Sequence, residues 1–143
     1  MRTDQISLVQ ESWQWVKPVA KQAGLNFYEK LFEAAPGIRH LFKENYQEQA
    51  DKLMVTLSYV VSKLQKPADI MGDIDKLGKS HAKYGAQPEH YAVVGQCLIA
   101  TLREGLGEKW NEPLQDAWIA AFTLVKDAMI AAQESAAKQQ TFN

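Results

Sequence analysis

The strongest constraint on this chain is the spacing of its apolar residues, which recur every three or four positions in almost every window. No window of useful length alternates with period two, so the spacing predicts an all-α domain. Ile6, Val9, Trp13 and Val16 form the first stripe, and Pro18, which has no amide hydrogen, breaks or bends that helix. A second helix begins near Val19, with Leu25, Tyr28 and Phe32 on one stripe and Phe27 and Leu31 beside it. Pro36 then sits at the first turn of a short helix running to Leu41 and Phe42. The polar stretch from Lys43 to Gln49 reads as a connector or a loose helix start. Beyond it Leu53, Leu57, Val60, Val61 and Leu64 make a clean stripe that must stop by Lys66-Pro67. Ile70, Ile74, Leu77, His81 and Tyr84 make the next, with Gly85 suited to a left-handed C-cap. Gln87-Pro88 opens a helix carrying Tyr91, Val94, Leu98 and Leu102. Asn111 caps the last and longest, striped by Leu114, Trp118, Val125 and Met129, with a small, polar tail predicted to fray from about Ser135.

Length and charge narrow the function. The 143 residues fit one domain, 1–143, with no second catalytic module. A formal net charge of −1 gives no pull toward nucleic acid or acidic membranes. Cys97 is the single cysteine, which excludes an internal disulfide and a Cys-based zinc site and suits a reducing compartment. The N-terminus lacks the apolar core of a secretory signal, and the longest apolar run, from Ala117 to Val125, is too short to span a bilayer. The expected location is cytoplasmic. There is no Gly-rich phosphate loop, no GxSxG and no HExxH.

Of the three histidines, His40 and His90 read as partly exposed surface residues. His81 instead occupies an apolar stripe, between Leu77 and Tyr84 and near two glycine-sized gaps at Gly78 and Gly85. Such a histidine is more often a satisfied core residue than a ligand. A buried imidazole needs a partner for each nitrogen, however, and a metal on one with a helix carbonyl on the other is one complete solution.

Four segments together carry a resemblance. They are FYEKLFEAAPGIRHLF (27–42), LGKSHAKYG (77–85), HYAVVGQCL (90–98) and DAW (116–118), in order and at nearly ungapped spacing. Over roughly residues 4–134 the chain resembles a globin, in particular the bacterial single-domain globins related to the haem domain of flavohaemoglobins. The resemblance implies six to eight helices packed three over three around a haem b pocket. It implies His81 as the proximal iron ligand, its other N–H directed to the Leu77 carbonyl or the Ser80 hydroxyl, and Phe42 stacked on the porphyrin. On the distal side Gln49 stands where vertebrate globins carry histidine, with Leu53 four residues on, and Tyr28 supplies the hydrogen bond to the ligand. A core aromatic remains the alternative for Phe42 and Tyr28, and a solvated helix-start residue for Gln49. Leu77 and Val94 would line the pocket; Trp118 would be lining or core.

In flavohaemoglobins a tyrosine and a glutamate flank the proximal histidine. Tyr91 matches the tyrosine, and the glutamate position falls on Gln133, with Glu134 next door and rotated by about 100°. A neutral amide implies a weaker push on the imidazole and less peroxidase-type activation. The implied function is reversible binding of O2, CO and NO, as in oxygen transport. The alternative is NO dioxygenation or nitrogen-oxide or peroxide removal, dependent on a separate reductase because the chain has no room for a flavin and nicotinamide module. The chain is not expected to be a self-sufficient enzyme.

Overall fold

The computed structural model describes residues 1–41, 46–83 and 89–142, without the side chains of 41, 80–83 and 136–142. Among the described residues there are six α-helices joined by turns or single 3-10 segments: α1 Thr3–Val16, α2 Ala20–Ala34, α3 Tyr46–Ser62, α4 Met71–Lys83, α5 His90–Leu106 and α6 Glu112–Phe142. No strand occurs among them, in agreement with the apolar spacing.

The punctuation residues act as their chemistry requires. Pro18 lies in a 3-10 turn, Lys17–Val19, that separates α1 from α2, and Pro36 starts the 3-10 segment Pro36–Leu41. Asn111 caps α6: its Oδ1 accepts the Leu114 N–H at 2.9 Å, satisfying one of the unpaired amides of the first turn. Gly107 carries the positive φ, 54°, that ends α5, a conformation open to glycine without a Cβ clash. Helical backbone continues in α6 to Phe142, past the Ser135 position where the sequence predicts a fraying tail. Good helix formers such as Ala136, Ala137 and Gln139 favour that continuation. The expected cap at Gly85 and the Gln87-Pro88 helix opening lie outside the described residues.

Packing follows two layers. α2 packs on α3 and α5, and α6 packs on α1, α4 and α5. Two crossings depend on missing side chains. A Cβ on Gly24 would meet Ala50 Cβ and its carbonyl oxygen at 3.1 Å, so α2 and α3 approach closely. A Cβ on Gly78 would fall 2.6 Å from the Met129 carbonyl oxygen and 2.8 Å from Ala132 Cβ. Gly78, expected to leave a gap, is filled by α6. α4 is seated on α6 at backbone contact, and that seating fixes the helix on which His81 lies.

The α1–α6 seam contains a buried polar thread. Trp118 Nε1–H donates to Ser12 Oγ at 2.9 Å, and the Ser12 hydroxyl donates to the Val9 carbonyl at 3.1 Å. Trp13 stacks on Trp118 with centroids 5.9 Å apart, and its own Nε1–H reaches Ser58 Oγ on α3 at 2.9 Å. Each indole thus buries its rings while its polar atom keeps a partner. Trp118 is core, sealed against α1.

Candidate functional site

α3 and α4 are held by different neighbours, which leaves a slot between the two. α3 rests on α2 and α4 on α6, and α3 and α4 are not closely packed on each other among the described residues. An open cleft of about 380 Å³ runs between them, lined by Val55, Thr56 and Tyr59 of α3 and Asp73, Lys76 and Leu77 of α4. At its rim the Tyr59 hydroxyl donates to Asp73 Oδ2 at 3.0 Å, which holds the Tyr59 phenol above its ordinary pKa. Leu53, Leu77 and Val94 are only half-buried, although each lies on the apolar stripe of its helix. Leu77 is the one of these three that lines the cleft, whose walls also carry Asp73 and Lys76; Leu53 and Val94 leave apolar surface uncovered on α3 and α5.

Tyr28 stands on α2, 6% exposed. Burial pushes its phenol up from 10.0 to about 12, because the ionised form would lose its hydration. The side chain is therefore a neutral O–H donor at every physiological pH. The sign of the linkage follows. Between pH 10 and about 12 the folded protein keeps a proton that the unfolded chain has released, so this contribution to stability is full below pH 10 and is lost as pH rises through about 12. Tyr28→Phe removes the effect. Urea unfolding in this window should fall more steeply for the wild type than for the variant, by up to about 1.4 kcal/mol per pH unit; parallel pH profiles would contradict the assignment.

Tyr28 sits in an aromatic group. Phe27 meets it edge-on with centroids 5.0 Å apart, Phe32 lies at 5.9 Å and Tyr46, the first residue of α3, at 6.3 Å. Gln49 follows one turn after Tyr46, half-buried on the first turn of α3. The stretch read from sequence as connector or helix start is therefore helical from Tyr46, and it brings Gln49 and Leu53 onto the same helix.

The other side of the slot holds α4, α5 and α6. Tyr91 is buried on the first turn of α5, and its hydroxyl has no hydrogen-bond partner among the described residues. Burial raises its pKa as well, so it too stays protonated. Leaving a buried hydroxyl unsatisfied costs about 1–3 kcal/mol, so a polar partner here would be favourable. On α6 Gln133 is buried and Glu134 exposed, which settles the helical phase in favour of the amide. Ala132, the neighbour of Gln133, is one of the residues that seat Gly78.

Phe42 lies outside the described residues, and of His81 only the backbone, in α4, is described. His40 is exposed and His90 half-buried, as expected. The aromatic partners Phe32 and Tyr46 and the cation Arg39 were not among the sequence candidates; the Tyr28 to Phe32 spacing of four was the available signal. No helix among the described residues is long and apolar enough to cross a membrane.

Comparison with known proteins gives a consistent picture. The family model Globin matches residues 25–129. A flavohemoprotein of Bordetella pertussis is 31% identical over 120 residues, covering 79% of this chain and 30% of the relative, so the chain spans about a third of such proteins. An anaerobic nitrite reductase, HBII, of Casuarina glauca is 31% identical over 90% of this chain and 88% of its own length. Among solved structures, a bacterial globin of Campylobacter jejuni superposes with a TM-score of 0.86 at 18% identity, covering 96% of this chain and 99% of that one. An engineered carbene transferase from Rhodothermus marinus, provisionally assigned as a nitric oxide dioxygenase, gives 0.90 at 25% identity, covering 99% of both chains.

Proposed function

Because the chain belongs to the globin family, we propose that it holds haem b and binds O2, CO and NO reversibly, with His81 as the iron ligand. The supporting observation is Tyr28: a buried phenol set among Phe27, Phe32 and Tyr46, on the helix against which α3 packs. Haem, if bound, would supply an iron able to take a diatomic gas.

The chain's residues do the rest. His81 would hold the group from α4, and Phe42 would contact it as the family resemblance implies. Leu77, which lines the cleft, and the half-buried Leu53 and Val94 would offer it apolar surface. Tyr28 donates a hydrogen bond toward the ligand, and Gln49 offers a second, more exposed donor. The Tyr91 hydroxyl is available to the proximal imidazole, and Gln133 beside the α4–α6 crossing is an amide, which draws no proton from that imidazole. Weak proximal push favours holding a ligand over activating peroxide.

A charge-assisted hydrogen bond from a phenol contributes about 1.5–3 kcal/mol. Tyr28→Phe should accordingly speed O2 dissociation by about one to two decades. An unchanged rate in a folded, haem-loaded variant would remove Tyr28 from the ligand site. A second reading, NO removal with electrons from a separate reductase, is supported by the likeness to the Rhodothermus marinus protein, provisionally assigned as a nitric oxide dioxygenase. Sustained turnover of NO with a cellular reductase would favour it; a single stoichiometric oxidation would leave gas binding. The lone, buried Cys97 suits a cytoplasmic setting within this proposal.

A further inference from the structure

Between the turn Pro36–Leu41 and the start of α3, three elements are joined by side chains to which no role is yet attached. The Arg39 guanidinium carbon lies 4.8 Å from the Phe32 ring centroid and 5.8 Å from that of Tyr46. Phe32 and Tyr46 meet edge to face, 5.6 Å apart and at 86°. Both rings also flank Tyr28, Phe32 at 5.9 Å and Tyr46 at 6.3 Å. A cation on the faces of two aromatic rings, which are themselves in the preferred T-shaped geometry, is attractive in each pairwise contact.

We propose that Tyr46, clamped by Arg39 against Phe32, is the positioning residue for the distal side: it fixes the Tyr28 ring and the first turn of α3 that carries Gln49. The proposal rests on the reading of Tyr28 as ligand donor. Its physical basis is steric. A tyrosine hydroxyl lies at the end of a rigid ring, so a small rotation about χ1, or a small shift of the backbone that carries it, swings it well away from a ligand, whereas rotation about χ2 turns the ring and leaves the oxygen in place. Phe27, Phe32 and Tyr46 enclose that ring, and only Tyr46 comes from α3. Tyr46 also anchors the helix end at its first residue, where α-helices fray, three residues before Gln49. Arg39 ties the anchor to the preceding turn, so α2, the Pro36 turn and α3 are registered together.

The test is a cycle on the full chain with haem supplied: wild type, Tyr46→Ala, Tyr28→Phe and the double variant, with Tyr46→Phe as the conservative control. O2 dissociation is read together with amide hydrogen exchange at residues 46–50 of the apoprotein. Tyr46→Ala should speed O2 release roughly tenfold when Tyr28 is present and less than about twofold in the Tyr28→Phe background. Exchange at 46–50 should accelerate, and Tyr46→Phe should behave as wild type. Equal acceleration in both backgrounds, or unchanged exchange, overturns the clamp. If Tyr28→Phe alone leaves O2 release unchanged, the ligand role of Tyr28 fails, and exchange at 46–50 alone decides the clamp. Should Tyr46→Ala not fold, Arg39→Ala removes the clamping cation while both rings remain in the chain; exchange at 46–50 should again accelerate, and unchanged exchange overturns the clamp.

Discussion

Replacing His81 with Ala is expected to abolish haem retention while leaving the helices intact. Residues that merely orient a metal ligand change metal affinity about 10–100-fold, so loss of the ligand itself should exceed that range. The fold should survive because α4 is seated on α6 through Gly78, and the buried Ile74 of α4 and Ile70 just before it lie about two and three turns ahead of His81. Far-ultraviolet circular dichroism of the variant should match wild type, and transfer of haem to a scavenging apoprotein should be at least about 100-fold faster. His81→Gly with added imidazole should recover a Soret band, since the free base can occupy the space vacated. An intact Soret band and normal transfer rate in His81→Ala would show that another residue holds the iron.

Gly78→Val is expected to give the largest loss of stability among single substitutions in α4. Even Ala places a Cβ 2.6 Å from the Met129 carbonyl oxygen and 2.8 Å from Ala132 Cβ, and the nearer obstacle is backbone that cannot rotate aside. Glycine in a helix interior is otherwise worse than alanine by about 1 kcal/mol, so the propensity gain opposes the clash. Overpacking costs about 1–3 kcal/mol for one added group and more for a branched one, so the clash wins. Gly78→Ala should lower Tm by several degrees, and Gly78→Val should lower it further and weaken haem binding by shifting His81. Gly105 is the control: nothing lies within 4 Å of its would-be Cβ, so Gly105→Ala should be neutral or stabilising by up to about 1 kcal/mol. A Gly78→Ala variant as stable as Gly105→Ala would mean that α4 and α6 are not seated on each other.

Periodicity and punctuation were legible in the sequence because both are local. The stripes, the proline turns and the Asn111 cap need only neighbours within a helical turn or two. The count from Trp118 pointed to Gln133 but left a one-residue shift to Glu134 open; the burial of Gln133 and exposure of Glu134 on the one long helix supply the phase. Gly78 was not legible. Spacing presents it as a gap beside His81, and the atoms that occupy the space belong to Met129 and Ala132, about fifty residues away. Tyr46 was missed for a similar reason: it sits in a polar stretch with no stripe, and its partners Phe32 and Arg39 reach it only once the chain has turned.

Cys97 gives the fold an internal clock. Its thiol is buried on α5 and held above its ordinary pKa by that burial, so the reactive thiolate is scarce while the helices are closed. A thiol reagent can then reach it only when α5 opens, and the labelling rate counts those openings. Because this is the only thiol in the chain, one absorbance trace reports a single site without assignment. A ligand that binds the closed form alone must slow the trace by the same factor by which it lowers the open population. The chain thereby carries its own measure of how strongly a bound prosthetic group ties the helical layers together.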